Sequence, residues 1–119
     1  MASKLTEVIV DAADPDKIAA FWMAALSYQR TGGDHGWVQI GDPASPGVTL
    51  TFVPVPERKT TKNRLHIDLS PVGCDQAEEV ERLIGLGARR IDVGQGEQTW
   101  VVLADPDGNE FCVLGTRVG

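Results

Sequence analysis

The 119-residue sequence predicts an α+β domain made of two tandem β-α-β-β-β modules. Three observations carry this reading. Each half opens on a short β-branched run, continues with an apolar series of helical period, and finishes in short apolar strands parted by glycine- and proline-rich turns. A unit of about 55 residues cannot bury both a helix face and a sheet by itself, so the two copies are expected to pack together.

In the first module, about 1–54, Val8 to Val10 reads as a strand. Asp14-Pro15-Asp16 then supplies an N-cap and a proline suited to the first helical turn. Ile18, Phe21, Trp22, Ala25 and Leu26 follow at the spacing that builds one buried helix face. Tyr28 to Thr31 is expected to form a hairpin with Trp37 to Ile40 across the turn Gly32-Gly33-Asp34-His35-Gly36. That glycine cluster is no phosphate fingerprint, because no strand-loop-helix context surrounds it. Val48 to Val53 is the last strand. Residues 55–64 are polar, lack apolar periodicity and read as a solvated linker, although Arg58, Lys59, Lys62 and Arg64 would also suit an anion clamp.

The second module, about 65–119, repeats the order. Leu65 to Leu69 alternates as a half-buried strand. Asp75 and Glu78 have capping-box spacing ahead of Ala77, Val80, Leu83 and Ile84, and Gly87 ends that helix. Arg90 to Val93, Trp100 to Leu103 and Glu110 to Leu114 supply the remaining strands, with a turn at Gly94-Gln95-Gly96. The string Asp105-Pro106-Asp107-Gly108-Asn109 is a strong turn, since proline presets φ and glycine or asparagine accepts positive φ.

Composition narrows the function classes. Hydrophobic residues at 42% and charged residues at 24% describe an ordinary globular chain. Eleven Lys and Arg against 17 Asp and Glu give a formal charge of -6. That balance argues against nucleic acid and anionic membrane surfaces, both of which demand a field of cations. No apolar signal-like segment follows Met1, and nowhere do eighteen apolar residues run together, so a cytoplasmic location is expected. Cys74 and Cys112 lie far apart, without the paired spacing of a zinc cage or a disulfide framework. Cys112 sits in an apolar run and reads as a small buried hydrophobe.

Several of these motifs together resemble the vicinal-oxygen-chelate superfamily, and within it the small glyoxalase-like domain proteins. They are Glu7 to Asp11 with Asp14-Pro15 and Phe21-Trp22, then Leu65 to Leu69, Leu86-Gly87-Ala88, and Asp105-Pro106-Asp107-Gly108-Asn109-Glu110-Phe111. The resemblance implies one curved mixed sheet with helices outside and a concave cleft. It also implies a homodimer. Active members of such a family hold a divalent metal with one side chain from each of four strands. Carried over position by position, the first-strand ligand, usually His, falls on Glu7, and the equivalent strand of the second module offers His66. The residue seven places after Asp105, commonly a ligating Glu, is Cys112 here, and matching the last strand of each module by parity puts Thr51 at the fourth position.

A threonine hydroxyl ligates weakly, and Glu, His and Cys would suit zinc only with good geometry. No cofactor is therefore expected, with zinc or another divalent metal as the alternative. Strand parity places Glu7 and His66 on the polar side, with Val8, Val10, Ile67 and Leu69 on the core side, so that Glu7 and His66 would face one cleft. Asp68 falls beside His66 and Glu110 beside Cys112 by the same rule, which is raw material for proton transfer. The plainer reading leaves the carboxylates as solvated strand charges and His66 as a hydrogen-bonded, half-buried imidazole. Trp37 and Trp100 each head a strand, and either wall a ligand cleft or pack in a core or dimer interface. The function that these residues and the resemblance imply is a glyoxalase-like protein with a degenerate metal site. It would bind a small hydrophobic or cationic organic molecule, in the manner of bleomycin-resistance members. The alternative is a lyase or isomerase using Glu7 and His66, with or without zinc.

Overall fold

The computed structural model describes residues 1–45, 47–96 and 98–119. Their contacts divide into two compact units, Met1–Arg58 and Lys59–Gly119, and each has the predicted element order.

In the first unit, β1 (Glu7–Ala12) leads into α1 (Pro15–Leu26), followed by β2 (Gln29–Gly32), β3 (Val38–Gly41) and β4 (Thr49–Pro54). The helix starts where the sequence places it. The Asp14 carboxylate accepts from the Lys17 amide, and Pro15 occupies the first turn, where its missing N–H costs nothing. The expected face is buried at Ile18, Phe21, Trp22 and Ala25, with the Phe21 and Trp22 rings edge to face at 5.2 Å. The sheet order is β1-β4-β3-β2, parallel between β1 and β4 and antiparallel elsewhere. Gly33 is required in the β2–β3 turn: its φ is +110°, and a Cβ there would collide with the Trp37 carbonyl.

In the second unit, β5 (Ile67–Leu69) precedes α2 (Gln76–Leu86), β6 (Arg89–Arg90), β7 (Val101–Ala104) and β8 (Glu110–Val113). The sheet order β5-β8-β7-β6 reproduces that of the first unit, again with one parallel pair, β5 and β8. The Asp75 side chain caps α2 through the Glu78 amide at 2.8 Å, and Gly87 closes it at φ +126°. The turn after β7 is held by Asp105, whose carboxylate accepts from the amides of Asp107 and Asn109. Phe111 and Val113 of β8 are fully covered on the side that receives α2.

Several expectations need correction. The strand expected over Leu65 to Leu69 begins only at Ile67, and Leu65 is 87% exposed. The strand expected over Arg90 to Val93 is two residues long, because Ile91 makes a single further backbone bond to Val102 before the chain bends at Val93-Gly94. Ala77 is exposed, whereas Glu79 is buried. The burial of Glu79 follows from its two short bonds to the Arg82 guanidinium, 2.7 and 2.9 Å, which answer its charge within the helix. Val8, expected on the core side, is exposed, since α1 lies mainly over β3 and β4 and covers edge strand β1 least.

The linker departs most from expectation. Lys59, one of four cations expected in a solvated stretch, donates to Glu110 at 2.8 Å, with both side chains largely covered. The Asn63 amide donates to the other Glu110 oxygen, and the Asn63 side chain donates to Asn109. Residues 59–63 are thus fastened to the start of β8 and belong to the second unit.

Candidate functional site

Parallel pairing of β5 with β8 puts Asp68 directly opposite Cys112, and Ile67 and Leu69 opposite Phe111 and Val113. Period-2 alternation then separates the chemistry. The apolar set turns toward the helix, and Asp68, Cys112 and Glu110 share the other face. His66, one residue before β5, brings its Nε2 to 3.4 Å from Asp68 Oδ1. One donor atom each from His66, Asp68 and Cys112 lies within 4.8 Å of the others. His66 and Asp68 are each about half exposed, whereas Cys112 is buried.

These residues form part of the wall of a cavity of about 430 Å³ in the second unit. Val93, Trp100, Val102 and Leu114 supply its apolar lining, and Lys62, Asn63, Gly94, Gln95 and Glu110 complete the wall with the His66, Asp68 and Cys112 group. Of the residues expected at a site, Trp100, His66, Asp68, Glu110 and Cys112 therefore meet in one place. The contact between His66 and Asp68, which parity alone left open, is present.

Electrostatics differ sharply among these groups. Burial pushes the Cys112 thiol up, and the adjacent Asp68 carboxylate adds to this through its charge and by accepting from the thiol, with Lys62 acting in the opposite sense. Such a thiol stays protonated at neutral pH and is no nucleophile unaided. Burial also pushes Glu110 up, but the Lys59 ammonium and the Asn63 amide outweigh it, and its carboxyl is held below the usual range. Glu110 is thus a committed anion with partners. Among the described residues, Asp68 is partnered by the His66 imidazole and the Cys112 thiol and remains half exposed.

Glu7, Thr51 and Trp37 belong to the first unit. Thr51 Oγ1 donates to Glu7 Oε1 at 2.6 Å, and Trp37 is exposed at the head of β3. The register there pairs Ile9 with Thr51. Aligned on their parallel pairs, the two units place Glu7 where His66 stands, Thr51 where Cys112 stands, and Ile9 where Asp68 stands. Among the described residues, the first unit therefore has no counterpart of the His, Asp and Cys group. The lining residues outside the expected set are Lys62 and Asn63, assigned to a linker, and Val93, Gly94, Gln95, Val102 and Leu114, whose signal in the sequence is proximity to turns or a place in an apolar strand.

The donor chemistry of the group can be tested against a metal. Imidazole, carboxylate and thiolate together suit zinc, which takes N, O and S ligands, whereas manganese prefers oxygen-rich sets. The residues present fit the former.

A glyoxalase-like domain family model matches residues 7–114. No curated protein matches the chain. Among solved structures, the chain is similar to a glyoxalase/bleomycin resistance protein/dioxygenase family enzyme from Burkholderia phytofirmans, with 17% identity, a TM-score of 0.69, and coverage of 93% of this chain and 97% of the other. It is also similar to the fosfomycin resistance protein FosX from Listeria monocytogenes complexed with manganese(II) and sulfate, with 17% identity, a TM-score of 0.74, and coverage of 99% and 94%. A glyoxalase/bleomycin resistance protein from Albidiferax ferrireducens matches at 19% identity and a TM-score of 0.61, covering 94% and 98%. At these identities the structures establish a shared fold, and the family model spans nearly the whole sequence. With two β-α-β-β-β modules, each folded into a four-stranded mixed sheet, the chain belongs to the glyoxalase-like domain family of the vicinal-oxygen-chelate superfamily.

Proposed function

We propose that the protein binds a small, mainly apolar organic molecule, neutral or singly cationic, in the cavity of the second unit. The observation that carries this is the lining itself, in which the apolar Trp100, Val93, Val102 and Leu114 stand with the half-exposed Asp68 carboxylate. Such a mixture, an apolar wall with a few convergent polar groups, is typical of small-ligand sites. Charge supports a neutral or monocationic guest. Lys62 supplies a cation to the wall and Asp68 and Glu110 supply anions, of which Glu110 is paired with Lys59. A multiply charged anion would meet two carboxylates there.

Benzyltrimethylammonium and benzyl alcohol, titrated into isotope-labelled protein, separate the two halves of the reading. Both probes are expected to shift the Trp100 indole signal and the amides around His66 and Asp68. Trp100→Ala should weaken both. Asp68→Asn should weaken the cation about fivefold, as an exposed cation contact implies, and leave the alcohol nearly unchanged. Shifts that fall elsewhere on the molecule, or affinities for both probes indifferent to Trp100→Ala, sink the assignment.

The homodimer belongs to the same reading. Edge strand β1 leaves Val8 exposed on one face and Ile9 on the other, an edge that a second copy would cover. Sedimentation at micromolar concentration is expected to return twice the chain mass, and a value near 12.8 kDa would refute it.

A further inference from the structure

We propose that His66, Asp68 and Cys112 form a three-donor site for a thiophilic divalent cation of the zinc type, contained in the second unit and with its open position toward the cavity. This differs from the four-strand set Glu7, Thr51, His66 and Cys112 implied by the family resemblance, because Asp68 supplies the third donor.

Register and distance carry the proposal. Asp68 and Cys112 are paired residues on adjacent parallel strands, so their side chains leave the sheet side by side. His66 reaches the same point from the residue before β5, 3.4 Å from Asp68. Donor atoms around a tetrahedral zinc ion, bound at about 2.0–2.3 Å, stand roughly 3.5 Å from one another. The His66 and Asp68 atoms already have that spacing, and the 4.8 Å limit on the whole group leaves about an ångström for side-chain rotation to close. Burial differs among the donors in a useful way. Cys112 is anchored in the sheet, while His66 and Asp68 are half exposed, so an ion could enter from solvent and keep a coordination position free, as zinc sites that act on a ligand do. One soft sulfur among the donors sets the preference. A thiolate favours zinc or cobalt over manganese beyond the general order of divalent affinities, which sets this site apart from the manganese-bound FosX structures. The first unit supplies an internal comparison, for the equivalent positions there are Glu7, Ile9 and Thr51, and an isoleucine cannot ligate.

The ion would share the cavity with the organic ligand, and cobalt binding and benzyltrimethylammonium binding can fail separately. The full chain, purified without a metal-binding tag, is titrated with cobalt(II). One equivalent is expected to produce a near-ultraviolet thiolate-to-cobalt charge-transfer band, which zinc(II) abolishes by displacement and a tenfold excess of manganese(II) does not. Cys112→Ser should remove the band. Asp68→Asn and His66→Gln should weaken cobalt by on the order of 100-fold, at least the loss that follows removal of an outer-shell partner. Both of those residues are half exposed, so their variants test the site even if Cys112→Ser folds poorly. Cys74→Ser should leave the band unchanged. Absence of the band at saturating cobalt overturns the proposal, as does its survival in Cys112→Ser or its loss in Cys74→Ser. A loss in Glu7→Gln as large as that in Asp68→Asn returns the site to the four-strand arrangement and overturns the role of Asp68.

Discussion

Replacing Phe111 by alanine is expected to lower the free energy of unfolding by about 3–5 kcal/mol, the largest single effect among core positions of the second unit. Phe111 is 1% exposed and lies on β8 between Ile67 of β5 and Leu103 of β7. Its ring fills the face that receives α2, and neighbours fixed in two strand ladders can collapse only partly into the space left behind. The consequence reaches the site, because the residues on either side of Phe111 are Glu110 and Cys112. Loss of the ring should therefore loosen both the Lys59 contact and the His66, Asp68 and Cys112 group. Urea unfolding of Phe111→Ala and of the milder Phe111→Leu, expected to cost below about 1.5 kcal/mol, checks this. A loss under 1 kcal/mol in the alanine variant would show that the β8 core is not as closely packed as the burial implies.

The second large effect concerns Glu110. Glu110→Gln should cost about 2–4 kcal/mol at neutral pH, since it strands the Lys59 ammonium, only 18% exposed, without its anion. The value falls toward the low end to the extent that Lys59 can swing to water. The pH dependence has a definite sign. Burial raises the carboxyl, the Lys59 and Asn63 bonds more than offset this, and the folded value lies below the ordinary 4.5. A depressed carboxyl contributes stability that is complete above the unfolded value and is lost as pH falls through it toward the folded value. Wild-type stability should therefore decline below about pH 4.5 more steeply than that of Glu110→Gln. Urea midpoints for the two proteins between pH 7 and pH 3 measure the difference. Parallel curves would mean that the Lys59 pair contributes nothing to folding.

The legible part of this protein is the part written in neighbouring residues. Asp14 with Pro15, Asp75 with Glu78, and Gly87 mark helix ends because a cap is made within about four residues of chain, and the 3.6-residue period of Ile18, Phe21, Trp22 and Ala25 needs no partner to be visible. The turn at Asp105 to Asn109 is equally local, closed by one carboxylate on two amides two and four residues away. Strand faces were legible as well, since alternation puts His66, Asp68 and Cys112 together on the side away from Phe111 and Val113 whatever the partner strand.

Alternation states a face but not a row, and the rows belong to the tertiary structure. Only the pairing of β5 with β8, across 44 positions of sequence, decides that Asp68 rather than some other residue stands opposite Cys112. The same holds for Lys59 and Asn63, which composition describes as linker and which Glu110, 51 and 47 residues away, draws onto β8. Leu65 is apolar yet exposed, and Glu79 is charged yet buried against Arg82, because burial answers to what packs nearby rather than to residue type. The sequence by itself determined the repeated element order, the helix limits and the chemical inventory, all set by local backbone preference and periodicity. The tertiary structure decided which members of that inventory touch, because strand register and loop docking depend on contacts between residues far apart in the chain, and no local preference encodes them.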